Sequence, residues 1–489
     1  MKPGTDDRSA GTLSPRSARI ALLWKFAEYC GLLAFLLLIP PGMGADSYGK
    51  FAVFLSLLYL SWLTCSLGGQ AAFARFIPEY RNTGAEDRIS AMFMQFLLLR
   101  IAIASLMSVV FFSLLAHLLP DLTFYTLLTA TGVFVTGLVA STFYQLQFGL
   151  NNIGRWLCQD SSRRLLLIGL LLLFGMNFNF GNIVGIMLAV ETGFLVAGAY
   201  WAKPWFSFRH EVSEISVLMK YIRFGLAFFV GNLLLMAFWR SGDILILKFS
   251  SHASEVTYFS IANAIVLALY GLFSQLSILI MPSLMALSAQ GEHERKILWL
   301  STTLKYITLI VFIIIFALWS VAEPLIANIL GESFRPVATN LLILLFSLLP
   351  MNIIRLGMSS ALVHDQQRHN AWVAGLALIT FLICAAFLIP HYGSIGAAAA
   401  IVLGASAGSV LAYYLFDMQN IISDASLLQL LLIGGVCMLL LYWLPLPGLF
   451  LSILIPILYI STLFLFRIIQ INELLWTFSR QKPRTQHDA

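Results

Sequence analysis

Apolar stretches of about 20 residues recur along the chain from Ile20 almost to the C-terminus. Each has the length that a helix needs to cross the hydrocarbon core of a bilayer, and none alternates polar and apolar residues as barrel strands do. The pattern predicts an all-α polytopic membrane protein with about 14 transmembrane helices. The predicted spans are residues 20–40, 48–70, 91–118, 122–147, 164–180, 182–202, 224–249, 255–282, 301–322, 337–363, 371–389, 394–416, 427–444 and 449–469.

Composition places the chain in the same class. Of its 489 residues 60% are hydrophobic and 11% are charged, which is too few polar residues to cover a soluble globule of this size. The first apolar run contains Lys25 and Glu28 and lacks a cleavage pattern, so it is interpreted as a span and not as a removed signal. The five cysteines stand singly without metal-like spacing, and neither a disulfide framework, a metal site nor a cofactor is predicted.

The distribution of basic residues predicts the orientation. Cytoplasmic loops of membrane proteins are enriched in Lys and Arg. Here 21 of the 29 basic residues fall in the even-numbered connections and the two tails, whereas only Lys50 and Arg335 fall on the opposite side. Both termini, a tail over residues 1–19 and another over 470–489, are therefore predicted to be cytoplasmic. The connection at 417–426 has no basic residue and supports this assignment least.

Three pairs of similar segments indicate an internal repeat. They occur in the same order at offsets of 210, 207 and 212 residues, and six helices per repeat make the two halves parallel. We expect an N-terminal six-helix bundle at 20–202, a C-terminal six-helix bundle at 224–416 and an additional helix pair at 427–469. The matching segments are Tyr48–Ala52 with Tyr258–Ala262, Gly84–Arg88 with Gly291–Arg295, and Gly181–Gly185 with Gly393–Gly396.

The segment at 203–223 joins the two predicted bundles. Phe208, Val212, Ile215, Met219 and Ile222 follow helical spacing, and charged residues occupy most of the rest of the helical wheel. This pattern predicts an amphipathic helix on the cytoplasmic membrane surface. The alternative is a helical extension of the seventh span.

Two basic-x-x-acidic steps lie inside predicted spans. Lys25 precedes Glu28 in the first span of the first half, and Arg240 precedes Asp243 in the first span of the second. Residues three apart share a helix face and can pair. A charge near the membrane centre costs about 2.5 to 3.5 kcal/mol unless it pairs, reaches water or faces a wet cavity. Two interpretations stay open, an internal ion pair and a cation that lines a cavity for an anionic head group.

The basic residues inside the predicted spans differ in their distance from the nearest end of the helix. Arg240 is roughly 24 Å from the inner end and 14 Å from the outer end of its predicted helix, too deep to reach water easily. Arg100 and Arg355 are intermediate, whereas Lys248 and Lys305 lie close enough to a span end to snorkel. The candidate ligands for an anionic head group are therefore Arg240, Lys25, Arg100 and Arg355.

Three carboxylates are candidate sites for a coupling cation, namely Asp243, Glu28 and Glu191. Glu191 lies midway along the sixth predicted span, and no cation occurs within four residues of it. Such a carboxyl group can be protonated at neutral pH and can bind and release a proton or sodium ion. The alternative is a neutral glutamic acid that is hydrogen-bonded to a neighbouring helix.

The loops argue against catalysis. The longest external connection, about Ala322 to Pro336, contains Glu323 and Glu332, and no GxSxG, HExxH, Walker or paired DxD motif occurs. The chain is therefore not predicted to be an enzyme, and transport between two pseudo-symmetric halves becomes the default hypothesis. A glycan enzyme or a non-transporting scaffold is the competing class.

Several short motifs run through most of the chain in a recognisable order. They are Gly44–Ala52, Arg75–Tyr80, Gly242–Leu247, Tyr258–Ala262, Pro282 with Gly291–Arg295, Ile329–Phe334 and Pro390–Ala397. With them the chain resembles the polysaccharide transporter branch, O-antigen flippase type, of the multidrug/oligosaccharidyl-lipid/polysaccharide (MOP) exporter superfamily.

This resemblance implies two six-helix bundles around a central cavity that opens alternately to either side. It further implies flipping of an undecaprenyl-diphosphate-linked oligosaccharide to the periplasmic face of the bacterial inner membrane, for O-antigen and other surface polysaccharide. Basic residues on the first helix of each bundle, here Lys25 and Arg240, would hold the diphosphate. The partners implied are the lipid-linked substrate, membrane lipids, a polysaccharide polymerase and a chain-length regulator, with no nucleic acid.

One departure affects the expected substrate. The cavity is sparsely basic compared with that of the similar lipid II flippases, whose first helix is arginine-rich, which argues against lipid II itself. The alternative function is a cation-coupled multidrug or small-solute antiporter of the same superfamily.

Overall fold

A computed structural model describes residues 15–175, 177–206, 215–250, 252–289, 292–363, 367–416, 418, 425–443, 448–466 and 468. These residues form α-helices and two short 3-10 turns, without any strand in the described ranges. The helices are α1 Pro15–Met43, α2 Ala45–Thr64, α3 Gly69–Asn82, α4 Glu86–Leu118, α5 Phe124–Gly149, α6 Ile153–Leu173, α7 Phe180–Ala202, α8 Ile215–Phe249, α9 Ala253–Ala289, α10 His293–Trp319, α11 Ala322–Leu330, α12 Val337–Leu345, α13 Leu348–Val363, α14 Gln367–Leu415, α15 Ala425–Trp443 and α16 Gly448–Leu465.

The helices confirm the predicted all-α polytopic class. Eight of them are long and apolar enough to cross a membrane, and two bent pairs, α2 with α3 and α12 with α13, would bring the number in the described residues to ten. Helix α14 contains two predicted spans joined at Gly393, where the backbone leaves the helical region. Helix α6 and the shorter apolar helices α15 and α16 account for the remaining three predicted spans.

The described residues group into two compact units, one ending at Phe229 and the other beginning at Val230. This boundary falls inside helix α8, a few residues after the predicted start of the C-terminal bundle at residue 224. The bridging segment is helical and continuous with α8 from Ile215 onward, which matches the alternative of a helical extension. Residues 207–214 of the predicted amphipathic linker lie outside the described residues, as do most of the predicted tails and of the 417–426 connection.

In the first unit, α5 packs along α7 and α4, and α1 packs along α6. The span formed by α2 and α3 is bent by 41° at its break. Two consecutive residues at this break, Leu67 and Gly68, have positive φ angles of 47° and 69°, which ends α2 and redirects the chain. A side chain at Gly68 would collide with the backbone of Gly225 on α8, so these two helices cross in backbone contact.

In the second unit, α13 and α9 pack together with α12 and α14. The predicted additional helix pair, α15 and α16, packs on α10 through an apolar core that includes Phe312, Phe316 and Tyr459. Helix α14 is interrupted at Gly393, which has φ 55° and ψ −130°. The carboxylate of Glu255 on α9 accepts a hydrogen bond of 2.9 Å from the amide of Ser394, so it caps the helical segment that restarts there.

Candidate functional site

The deepest predicted cation, Arg240, lies on helix α8 nine residues before its end at Phe249, about 14 Å along the helix axis. Its neighbour on the same face, Asp243, is 1% exposed, whereas Arg240 is half-buried. The three-residue step between them is therefore helical, as the sequence predicted.

Helix α8 packs closely against α9 near Gly242. A Cβ atom at Gly242 would lie 2.6 Å from the ring of Phe259 on α9, so only glycine permits this approach of the two helices. Asn263, one turn further along α9, donates a hydrogen bond of 3.0 Å from Nδ2 to the carbonyl oxygen of Trp239. On another side Phe238 packs against Phe381 of α14 with ring centroids 5.7 Å apart. These contacts hold the backbone that carries Arg240 and Asp243 in a defined position.

A second cation lies near the same place. The rings of Trp239 and Tyr270 are 6.0 Å apart, and Tyr270 is close enough to Arg355 of α13 for an electrostatic interaction. Tyr270 thus links Arg355 to Trp239, the residue next to Arg240 on α8. We refer to this group as the α8 polar cluster, which comprises Trp239, Arg240, Asp243, Asn263, Tyr270 and Arg355.

Several polar atoms of the α8 polar cluster are buried without a hydrogen-bond partner among the described residues. They are Trp239 Nε1, Tyr270 Oη and Asn263 Oδ1. A buried polar group that makes no hydrogen bond costs about 1 to 3 kcal/mol, so such groups mark places where a bound polar molecule is stabilised. The cluster offers one indole donor, one hydroxyl group, one amide acceptor and two guanidinium groups. That set of groups suits an anionic ligand that also has hydroxyl groups.

The other basic-x-x-acidic step, Lys25 with Glu28, lies on α1 in the first unit. Lys25 Nζ donates to Glu28 Oε2 at 2.8 Å, and the two side chains are 34% and 26% exposed. The two residues are therefore paired on α1, which is the ion-pair interpretation of this step. Their partial exposure leaves the pair accessible from one side of the helix.

Arg100 is 1% exposed on helix α4 and donates to four neutral oxygens. The acceptors are Ser141 Oγ at 2.7 Å, the Ser66 carbonyl at 2.9 Å, Gln145 Oε1 at 3.0 Å and the Leu138 carbonyl at 3.5 Å. Ser66 belongs to the break between α2 and α3, and the other acceptors lie on α5. Among the predicted head-group ligands Arg100 thus has the geometry of a structural residue that holds the helix break against α5.

Glu191 has no cation within four residues in the sequence, but in the structure it contacts one from a neighbouring helix. Arg163 of α6 approaches it with Nε 2.5 Å from Glu191 Oε1, a contact of ion-pair distance without hydrogen-bond geometry. Arg163 Nη2 also donates to Glu191 Oε2 at 3.4 Å. Glu191 is 1% exposed, and Arg163 also contacts the exposed carboxylate of Asp160 at 3.3 Å. Arg163 directly precedes the predicted span at 164–180, whereas α6 begins at Ile153 and includes it.

An aromatic ring completes the surroundings of this ion pair. The guanidinium carbon of Arg163 lies 5.0 Å from the ring centroid of Trp62 on α2. Trp62 Nε1 donates to the carbonyl oxygen of Phe134 at 2.9 Å. The indole fits there because α5 has a glycine at 137, where a Cβ atom would overlap the ring. Arg163, Glu191 and Trp62 therefore connect α6, α7 and α2 inside the first unit.

No three His, Cys, Asp or Glu side chains of the described residues lie close enough together to hold a metal ion. The five cysteines are free, with Cys65 and Cys437 buried and the others partly exposed. The polar chemistry described above is therefore that of arginine, carboxylate, amide and aromatic groups.

Neither a protein-family model nor a curated protein sequence matches the chain. Solved structures match over most of its length. The lipid II flippase MurJ in an inward closed conformation aligns with a TM-score of 0.67 at 14% identity, covering 93% of this chain and 99% of MurJ. An inward-facing multidrug resistance MATE family transporter of the MOP superfamily gives 0.61 at 12% identity, covering 86% and 98% of the two chains.

A third structure, a mutant of the Vibrio cholerae MATE transporter VcmN, aligns with a TM-score of 0.51 at 15% identity and covers 84% of this chain and 98% of that one. The chain has the fold of these transporters. The predicted all-α polytopic membrane fold is thereby confirmed.

Proposed function

We propose that this chain is a membrane transporter that flips an undecaprenyl-diphosphate-linked oligosaccharide from the cytoplasmic to the periplasmic face of the bacterial inner membrane. It would act by alternating access and supply surface polysaccharide such as O-antigen. The observation that carries the proposal is the α8 polar cluster, in which Arg355 lies within electrostatic reach of Tyr270, and Trp239 Nε1 and Tyr270 Oη are buried without a hydrogen-bond partner among the described residues.

The chemistry of the cluster matches the two parts of such a substrate. A diphosphate is recognised by guanidinium groups, whose parallel N–H donors fit phosphate oxygens in a bidentate way. Sugar hydroxyl groups can satisfy Trp239 Nε1, Tyr270 Oη and Asn263 Oδ1, which have no hydrogen-bond partner among the described residues. Lys25, which is partly exposed on α1, would be the matching cation of the first half.

The fold adds support from an independent direction. The alignment with the lipid II flippase includes a larger share of this chain than either MATE alignment reported above. Lipid flipping and drug antiport differ in the size and charge of the cargo. A cluster that includes Arg240, Arg355 and buried aromatic groups without hydrogen-bond partners among the described residues favours a large anionic cargo with hydroxyl groups. A transporter also agrees with the short loops, which leave little room for the groups of an enzyme.

A second candidate function is a cation-coupled multidrug or small-solute antiporter. Two of the predicted coupling carboxylates, Asp243 and Glu191, are each 1% exposed, which is the burial expected of a site that exchanges a cation during transport. Glu191 is ion-paired with Arg163, and the third carboxylate, Glu28, is ion-paired with Lys25. In this hypothesis the same two halves would carry a small molecule outward against an entering cation.

Deleting the gene in its own host distinguishes these candidates. A flippase predicts that surface polysaccharide falls to background and that the lipid-linked oligosaccharide accumulates with its sugars on the cytoplasmic side. Both changes should be reversed by the intact chain supplied on a plasmid. Glycan staining of whole cells and analysis of extracted lipids are the measurements.

The second candidate predicts the opposite pattern from the same strains. Unchanged surface glycan together with lowered tolerance to several unrelated drugs would reject the flippase and favour the antiporter.

A further inference from the structure

Helices α6 and α7 enclose an apolar groove in the first unit. Tyr144 of α5 also lines it and lies within electrostatic reach of Glu191 and Arg163. It has a volume of about 320 Å³, and its lining includes Leu166, Leu170, Ala189, Gly193, Ala197 and Trp201. The groove is open along one side, since Leu166 is 44% exposed and Ala189 and Gly193 are exposed as well. Small residues at every fourth position of α7 provide the depth, because none has a side chain larger than a methyl group.

The length of the groove corresponds to one leaflet of a bilayer. Its lining runs from Cys158 to Leu170 on α6 and back from Ala189 to Trp201 on α7. Twelve residues of helix span about 18 Å at 1.5 Å per residue. Half of the roughly 30 Å hydrocarbon core is about 15 Å, so a single extended hydrocarbon chain of one leaflet fits along it.

Positive charge marks one end of the groove only. The guanidinium carbon of Arg155, which precedes Cys158 by one turn, lies 5.6 Å from the ring centroid of the lining residue Trp201. Lys203 follows two residues later, and both basic residues are exposed. The loop charges predict this end to be cytoplasmic, and tryptophan is enriched at membrane interfaces. At the other end the lining residues Leu170 and Ala189 are apolar.

We propose that this groove is a binding site for an anionic phospholipid of the cytoplasmic leaflet. One acyl chain would lie between α6 and α7, and the phosphate would contact Arg155, with Lys203 adding to the positive potential. Charge complementarity selects this occupant, because a zwitterionic lipid would gain much less from the two cations. The site does not depend on which cargo the protein transports.

The site can be tested with two variants that act on different parts of the lipid. Gly193→Leu would fill the groove, since a methyl group at Gly193 would meet no described atom within 4 Å and the variant should fold. Arg155→Gln would remove the charge at the head group. Matched controls are Gly185→Leu, a glycine of the same helix with equally open surroundings, and Arg88→Gln, an exposed arginine that stacks on Tyr80 at 5.9 Å.

The measurement is lipid retention by the purified full-length protein in native mass spectrometry. Phosphatidylglycerol and phosphatidylethanolamine with the same acyl chains would be offered together. We expect one phosphatidylglycerol to be retained preferentially, and each of the two site variants to lower its retention about fivefold. Both control variants should retain it as the unchanged protein does.

Three results would overturn the proposal. They are equal retention of both lipids by the unchanged protein, phosphatidylglycerol retention that neither site variant lowers, and a loss in Arg155→Gln without a loss in folded Gly193→Leu. Displacement of phosphatidylglycerol by an equimolar amount of undecaprenyl diphosphate would also overturn it, because the groove would then belong to a polyprenyl lipid. If Gly193→Leu were unfolded, Ala197→Leu would fill the same groove from the next turn.

Discussion

Replacing Arg163 with leucine is expected to lower the free energy of unfolding by about 3 to 5 kcal/mol, the cost of leaving a buried charge without its partner. Glu191, its partner on α7, is 1% exposed. The same substitution removes the guanidinium that stacks on Trp62. The change therefore removes the contact that connects α6 with both α7 and α2.

Replacing Glu191 should lower the free energy of unfolding less than replacing Arg163 does. Glu191→Leu leaves Arg163 with Asp160 at 3.3 Å and with the ring of Trp62, so its cost should be smaller than that of Arg163→Leu. The double variant Arg163→Leu with Glu191→Leu removes both charges and should recover most of the loss, because apolar replacement of a buried pair is often neutral. Titrating each purified variant in detergent with a denaturant measures its free energy of unfolding.

Arg164→Leu is the matched control, since it removes the same charge from the next residue of α6. Arg164 is partly buried, so its replacement should cost about 1 kcal/mol, the typical cost of a point substitution and well below that of Arg163→Leu. The account of the ion pair would be wrong if Arg163→Leu and Arg164→Leu unfolded at the same denaturant concentration.

Replacing Arg240 with alanine is expected to slow flipping of the lipid-linked oligosaccharide by roughly 10- to 100-fold. A hydrogen bond to a charged group contributes about 1.5 to 3 kcal/mol, and Arg240→Ala would remove one or two such bonds to the diphosphate. Arg240→Lys keeps the charge but loses the planar pair of donors, so an intermediate rate is expected. Protein yield and membrane insertion, measured for each variant, separate a loss of flipping from a loss of folded protein.

A control on the same helix separates a site effect from a general loss of positive charge. Lys248 is exposed near the end of α8, where its ammonium group stacks on Phe249 at 5.9 Å. Lys248→Ala should therefore flip the substrate at the rate of the unchanged protein. Equal rates for Arg240→Ala and Lys248→Ala would remove Arg240 from the substrate site.

The fold could be predicted from the sequence because its elements depend on local composition. A long apolar stretch in a membrane must form a helix, because only then are its backbone hydrogen bonds satisfied. Each predicted span overlaps a helix of the structure. The pairing of Lys25 with Glu28 was predictable for the same reason, since helical spacing alone brings three-apart residues together.

Contacts between helices were not predictable in this way. Arg163 and Glu191 are 28 residues apart and meet only because α6 and α7 pack antiparallel, which no spacing rule discloses. Arg163 also lies just outside the predicted span at 164–180, although α6 begins at Ile153. Similarly, only packing brings Arg355 toward the Trp239 and Tyr270 pair, while the depth of Arg240 followed from counting residues.

Glycines show the same division between local and non-local information. Gly393 stood out in the sequence as part of a repeated motif, but its left-handed backbone and the cap supplied by Glu255 of α9 appear only in three dimensions. Gly68 and Gly225 are unremarkable in sequence, yet their backbones touch where α8 crosses the break of α2 and α3. The sequence shows where the glycines are, but only the structure shows which neighbouring residue leaves no room for a side chain there.

The most direct test of the proposed function measures flipping in vesicles that contain the purified full-length protein. An undecaprenyl-diphosphate-linked oligosaccharide is placed in the inner leaflet at the start. A membrane-impermeant glycosidase added outside measures how fast the sugars appear in the outer leaflet. We predict that vesicles with the protein expose the sugars at least tenfold faster than protein-free vesicles, and that Arg240→Ala removes most of this difference. Equal rates with and without the unchanged protein, under imposed proton and sodium gradients of either direction, would contradict the proposal.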